Sequence, residues 1–115
     1  MTVPTRPDVL AVLAPGSLTG RTALVTGGGS GIGRATALLL ASMGARVAVV
    51  GRTEESLQGT VEMAAIADGV HSVSSYVCDV REPDQVDAML DAVLADFERI
   101  DILVNNAGGQ FVSPA

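Results

Sequence analysis

A chain of 115 residues is one domain at most, and at this size it buries only about two-thirds of its unfolded surface. Hydrophobic residues make up 48% but aromatic ones only 3%, so the core has to be built from Val, Ile, Leu and Ala, the composition of a parallel sheet buried on both faces. A net charge of −6, with seven scattered arginines and no lysine, excludes the basic footprint of a nucleic-acid binder; one cysteine, Cys78, excludes a disulfide framework, and no apolar run reaches membrane-span length. The expected setting is cytoplasmic, and the expected partner a small molecule rather than nucleic acid or membrane.

Residues 1–20 carry Pro4, Pro7 and Pro15 around the run Val9-Leu10-Ala11-Val12-Leu13 and read as an N-terminal arm with a packing role. The remainder, 21–115, alternates strand and helix signals. Thr22 to Thr26 is a short continuous apolar run suited to a doubly buried strand. A glycine-rich loop follows, then a helix over Ile32 to Met43 that is apolar nearly all round, hence expected to be deeply packed, and that stops at Gly44. Ala45 to Val50 predict a second strand ending at Gly51. Thr53 is then an expected N-cap, Glu54 and Glu55 sit where a helix dipole favours acids, and Leu57, Val61, Ala64 and Ala65 recur at helical spacing up to Asp68-Gly69.

Val73 to Val77 predict a third strand, and Pro83, at a first helical position, opens an amphipathic helix with Val86, Met89, Leu90, Val93, Leu94 and Phe97 on one face. Asp84, Asp87 and Asp91 line the other face and read as solvated surface rather than a metal cluster. Ile100 to Val104 is the fourth strand, followed at once by Asn105-Asn106-Ala107-Gly108. Four strands alternating with three helices predict an α/β fold, a doubly wound parallel sheet of Rossmann type, with ligand at the carboxyl ends of the strands.

Chemistry enters at Thr26-Gly27-Gly28-Gly29-Ser30-Gly31-Ile32-Gly33, between the first strand and the first helix. Side chains at such a turn would hold a pyrophosphate off the backbone, so glycines are required where the ligand meets main-chain N–H groups at a helix N-terminus. Glycines at 27, 31 and 33 form G-x-x-x-G-x-G, not the common G-x-G-x-x-G fingerprint. A P-loop is excluded because Arg34-Ala35 stand where Lys and then Ser or Thr are needed. A methyltransferase-type loop would want a carboxylate at the end of the next strand, where Gly51-Arg52 stand.

This loop and Asn105-Asn106-Ala107-Gly108, at their separation along the chain, resemble the short-chain dehydrogenase/reductase family. The resemblance implies that the loop residues Gly27, Gly29, Ser30, Gly31, Ile32 and Gly33 hold the cofactor pyrophosphate. It further implies that Asn106, Ala107 and Gly108 steady the sheet and abut the cofactor ribose, and that Asp79 accepts from the adenine amino group with Val80 beside the ring. Leu13-Ala14-Pro15-Gly16 and Gly109-Gln110-Phe111-Val112-Ser113-Pro114-Ala115 look like the peroxisomal-type trans-2-enoyl-CoA reductase branch, which implies an acyl-CoA substrate, fatty-acid metabolism and, for a full-length protein, a homo-oligomer.

An NAD enzyme places a carboxylate about twenty residues beyond the glycine loop, where a 2′-phosphate would be repelled. Gly51 holds that place, Arg52 follows with a guanidinium that can pair with phosphate, and Thr53 adds a hydroxyl, so the expected cofactor is NADP(H), with Arg34 as a second candidate cation. The family's catalytic serine, tyrosine and lysine lie beyond the fourth strand. Tyr76, the only tyrosine, falls in the third strand, and no lysine is present to lower its pKa. The chain is therefore read as the cofactor-binding amino-terminal portion of an oxidoreductase, truncated before the catalytic half, with no catalytic residue and no metal ligand of its own. The alternative is a non-catalytic NADP-binding module or an inactive truncated product.

Overall fold

Side-chain alternation along the strands decides the layering. The computed structural model describes residues 16–68 and 72–106. Its elements run β1 (Thr22–Thr26), α1 (Gly31–Ser42), β2 (Arg46–Gly51), α2 (Glu54–Asp68), β3 (Val73–Val77), α3 (Pro83–Phe97) and β4 (Ile102–Val104). All pairings are parallel and the sheet order is β3-β2-β1-β4, with Thr22 level with Arg46, Ala23 with Ile102 and Val47 with Val73. The chain builds outward from β1 to β3 and then crosses back to the far side of β1. That reversal places a crevice between the carboxyl ends of β1 and β4, the switch point at which such sheets bind ligands.

Ala23, Val25, Val47, Val49 and Val73 pack with Ala37, Ala41, Leu57 and Ala64 of α1 and α2. Their neighbours Leu24, Ala48 and Val50 pack with Met89, Val93 and Phe97 of α3 on the opposite face, joined by Cys78. The expected doubly wound parallel sheet is thus present, with β1 and β2 buried on both faces. Each fully buried Leu or Val contributes about 1.5–3 kcal/mol relative to exposure. Cys78 is a core side chain, and burial pushes its thiol pKa up.

Two expectations change. Only Gly33, Ala37 and Ala41 of α1 are buried, while Ile32 is 76% and Leu39 60% exposed. The helix is fully buried only along a stripe of small residues at four-residue steps, with Leu38 and Leu40 half-buried beside it, so its apolar content overstates its packing. β4 begins at Ile102 rather than Ile100. Glu98, at φ 71°, ends α3 with its N–H on the Leu94 carbonyl; Asp101 then donates its N–H to Thr22 O at 2.9 Å, while its carboxylate receives the Thr22 N–H at 2.8 Å, so a side chain takes one of the two bonds at the start of the expected strand. The Thr22 N–H and the Arg99 guanidinium hold the Asp101 carboxyl below the usual carboxylate range.

The last residues of the expected arm, 16–20, form a turn in which Leu18 N–H reaches the Met43 carbonyl at the end of α1; the run Val9 to Leu13 lies outside the described residues. Among the described residues no helix is long and apolar enough to cross a membrane.

Candidate functional site

The loop between β1 and α1 is shaped by close backbone contacts. Gly27 and Gly31 have φ of 66° and 57°, the left-handed region that glycine enters without strain. A Cβ on Gly33 would lie 1.9 Å from the Gly27 carbonyl oxygen, so the helix start can fold over the loop only without a side chain there. The Gly27 N–H donates to Val50 O at 2.7 Å, anchoring the loop to the end of β2. Arg34 is the first residue of α1 whose N–H closes back, on Ser30 O at 3.2 Å; the amides of Gly31, Ile32 and Gly33 before it are the unpaired donors of a helix N-terminus. Ser30 occupies the N-cap with no side-chain capping bond, and no acid stands in the first turn. Positive partial charge is left uncompensated by the chain, which suits an anion and fits a pyrophosphate.

The second motif meets the loop directly. Asn106 N–H donates to Thr26 Oγ1 at 2.9 Å, and its side-chain Nδ2 lies 3.5 Å from Gly27 O. Ala107 and Gly108 lie outside the described residues, as do the flanking segments Leu13 to Gly16, except for Gly16 itself, and Gly109 to Ala115.

Arg52 and Thr53 are exposed in the turn between β2 and α2, and Thr53 O accepts the Leu57 N–H at 3.1 Å as the residue before the helix. Asp79 follows β3, and Val80 beside it is 37% exposed. The Asp79 carboxylate accepts from Arg81 Nε at 3.0 Å, Arg81 Nη2 at 2.9 Å and the Arg81 N–H at 3.0 Å. These bonds hold its pKa down to about 2, with a further contribution from the Arg52 charge. The carboxylate is therefore ionised and acceptor-only at any ordinary pH, and Arg52 stands within its field. The acids of α3 do not assemble a site: among the described residues no group of three or more His, Cys, Asp or Glu could hold a metal.

Arg34 is placed differently from the expectation of a second phosphate cation. Its Nη2 donates to Gly29 O at 2.6 Å and Ser56 O at 2.9 Å, and its Nε to Thr60 Oγ1 at 3.0 Å. Thr60, fully buried, donates in turn to Gly28 O at 2.7 Å. Thr60 is the residue that sequence reasoning missed, and Thr26, named only as the first residue of the loop motif, was given no role. Thr60 had a signal: it falls between Leu57 and Ala64 on the helix face that packs on the sheet, where a hydroxyl needs a partner.

Tyr76 does not join this group. Its hydroxyl donates to Asp96 Oδ2 at 2.5 Å, and burial together with Asp96 pushes its pKa up to about 12, opposite to what a proton-transferring tyrosine requires.

The family model for short chain dehydrogenases matches residues 21–115, nearly the whole chain and all of the sheet just described. The chain belongs to the short-chain dehydrogenase family. A D-threitol dehydrogenase from Mycolicibacterium smegmatis is 44% identical over 98 residues, 85% of this chain and 37% of that protein. A Caenorhabditis elegans protein named "Probable 2,4-dienoyl-CoA reductase 3" is 40% identical over 102 residues, 88% of this chain and 33% of its own. The chain thus spans about a third of the length of such curated relatives. Among solved structures of this family, a citronellol catabolism dehydrogenase from Pseudomonas aeruginosa superposes with a TM-score of 0.76 at 46% identity, covering 82% of this chain and 38% of that one. An NAD+-bound xylitol dehydrogenase and an actinorhodin polyketide ketoreductase variant with NADPH are 40% and 41% identical, each with a TM-score of 0.70 over 75% of this chain and 32% of the other. Equal likeness to short-chain dehydrogenases holding either cofactor means that overall similarity does not choose between them.

Proposed function

We propose that the protein carrying this chain is an NADP-dependent oxidoreductase that transfers hydride between the nicotinamide and a small-molecule substrate, and that residues 21–115 are its dinucleotide-binding unit. The observation that carries the reading is the uncompensated amide cradle at the start of α1, closed by Gly33 against Gly27 O at the switch point between β1 and β4. In this reading Gly27 turns the chain and the pyrophosphate lies on Gly29, Ser30, Gly31, Ile32 and Gly33. The adjoining ribose lies beside Asn106, Ala107 and Gly108, the adenine at Asp79 and Val80, and the 2′-phosphate at Arg52 and Thr53. NADP prevails over NAD because β2 ends at Gly51 and Arg52 follows, where a carboxylate would repel the phosphate. When bound, the cofactor supplies the hydride; the residues named here bind and orient it. The serine, tyrosine and lysine for proton transfer come from polypeptide outside this chain, and the assembled protein is a cytoplasmic homo-oligomer.

For the substrate we propose an α,β-unsaturated acyl thioester such as an enoyl-CoA. Support comes from the segments Leu13 to Gly16 and Gly109 to Ala115 and from the likeness to the dienoyl-CoA reductase relative. NADPH consumption by the full-length protein, compared between an enoyl-CoA and a 3-ketoacyl thioester and read in reverse with a secondary alcohol and NADP+, tests this. Preference for the enoyl-CoA is the expected result. Preference for either of the others overturns the substrate and leaves hydride transfer intact, while bound dinucleotide without any turnover favours a non-catalytic NADP-binding module.

A further inference from the structure

We propose that Arg34 and Thr60 are positioning residues for the dinucleotide: they tie the carbonyls of the glycine loop back onto α2 and thereby aim the loop amides at the pyrophosphate. The inference rests on the dinucleotide reading above. In a planar trans peptide the C=O and the following N–H point in opposite directions. Thr60 Oγ1 donates to Gly28 O at 2.7 Å, so the Gly29 N–H is turned away from α2. Arg34 Nη2 donates to Gly29 O at 2.6 Å, so the Ser30 N–H is turned away as well. Two successive peptide units are oriented by one pair of side chains.

The network leaves little freedom. The Thr60 hydroxyl gives its single proton to Gly28 O and accepts from Arg34 Nε at 3.0 Å, so both of its roles are used. The Arg34 fork also reaches Ser56 O at 2.9 Å on α2. Glycines open the space for it: a Cβ on Gly59 would come within 2.8 Å of Arg34 Nη2, and one on Gly29 within 2.9 Å of Ser56 Cβ. A lysine at position 34 has no fork to hold Thr60, Gly29 and Ser56 together, whereas a serine at 60 keeps the hydroxyl. Because α2 begins two residues after Arg52, the helix that sets the cradle also carries the 2′-phosphate candidates at its entrance.

The test titrates NADP+, NAD+ and adenosine 2′-monophosphate, which lacks the pyrophosphate, into the full-length protein and its Arg34→Lys, Thr60→Val and Thr60→Ser variants. Arg34→Lys and Thr60→Val are expected to weaken NADP+ and NAD+ by the same factor, about tenfold or ~1.4 kcal/mol, and to leave adenosine 2′-monophosphate unchanged. Thr60→Ser is expected to bind as the parent does. Loss of NADP+ and of the monophosphate with NAD+ spared would make Arg34 a direct ligand of the 2′-phosphate and overturn the proposal. Unchanged affinities for both dinucleotides, or equal loss of all three ligands, would overturn it too. If Thr60→Val fails to fold, Arg34→Lys decides by the same comparison. A parent protein that binds neither dinucleotide defeats the underlying reading itself, an outcome distinct from any pattern among the variants.

Discussion

The main-chain N–H of Asn106 donates to the hydroxyl of Thr26 at 2.9 Å, joining the exit of β4 to the entrance of the glycine loop. The same Oγ1 lies 3.4 Å from Val104 O and 3.3 Å from Asn105 Oδ1, so one threonine ties both motifs across the β1–β4 crevice. Thr26 is buried, and Thr26→Val removes the acceptor without changing the volume. The expected cost in a urea unfolding series is about 1–3 kcal/mol, most of it recovered in Thr26→Ser. An unchanged midpoint in Thr26→Val would remove the threonine from the account.

Gly33 and Gly31 separate two uses of glycine. In Gly33→Ala the new methyl would stand 1.9 Å from the Gly27 carbonyl oxygen, so backbone has to move, at roughly 1–3 kcal/mol or more, and the cradle opens. Gly31→Ala meets no atom within 4 Å and suffers only the left-handed conformation, about 1–2 kcal/mol. Thermal melting and dinucleotide titration should both rank Gly33→Ala as the more damaged; the reverse order would contradict the geometry.

Much of this was legible because glycine spacing reports backbone approach and apolar runs report strands buried twice. The run Thr22 to Thr26 anticipated β1, while the spacing of 27, 31 and 33 marked the loop as one where backbone is approached closely, without saying that Gly33 crosses Gly27. What failed depended on distant partners. Arg34 reads as a free cation until Thr60, twenty-six residues on, takes its Nε. Leu39 reads as core until the helix is seen to bury fully only Gly33, Ala37 and Ala41, with Leu38 and Leu40 half-buried beside them. Ile100 and Asp101 read as strand because a capping carboxylate has no period.

Tyr76 gives a pH signal of its own. Its folded pKa, pushed up to about 12 from 10.0 by burial first and Asp96 second, means that the neutral phenol stabilises the fold. That contribution is fully present below pH 10.0 and lost as pH rises through about 12. The sequence has one tyrosine and no tryptophan, so tyrosinate absorbance of this chain reports Tyr76 alone. The titration is expected near 12, and lower in Asp96→Asn. A midpoint at 10.0 in the folded chain would contradict the Tyr76–Asp96 hydrogen bond.

β4 is three residues long and is an edge of the sheet among the described residues. Leu103, level with buried Leu24, is 67% exposed, and Leu94 of α3 is 43% exposed. A polypeptide of these 115 residues alone is expected to self-associate through this edge and to show no NADPH oxidation above a no-protein control. Sedimentation checks the first point. A monodisperse monomer with a cooperative melt would contradict it, and turnover above the control would contradict the second.

The central claim, that this fold presents an NADP site with its selectivity at Arg52, is tested most directly by titrating NADPH and NADH into the full-length protein and its Arg52→Ala variant. The account predicts tighter binding of NADPH in the parent and a loss of roughly 1.5–3 kcal/mol for NADPH alone in the variant, the range of one charge-assisted contact. Equal affinities in the parent, or NADPH binding untouched by Arg52→Ala, would contradict it.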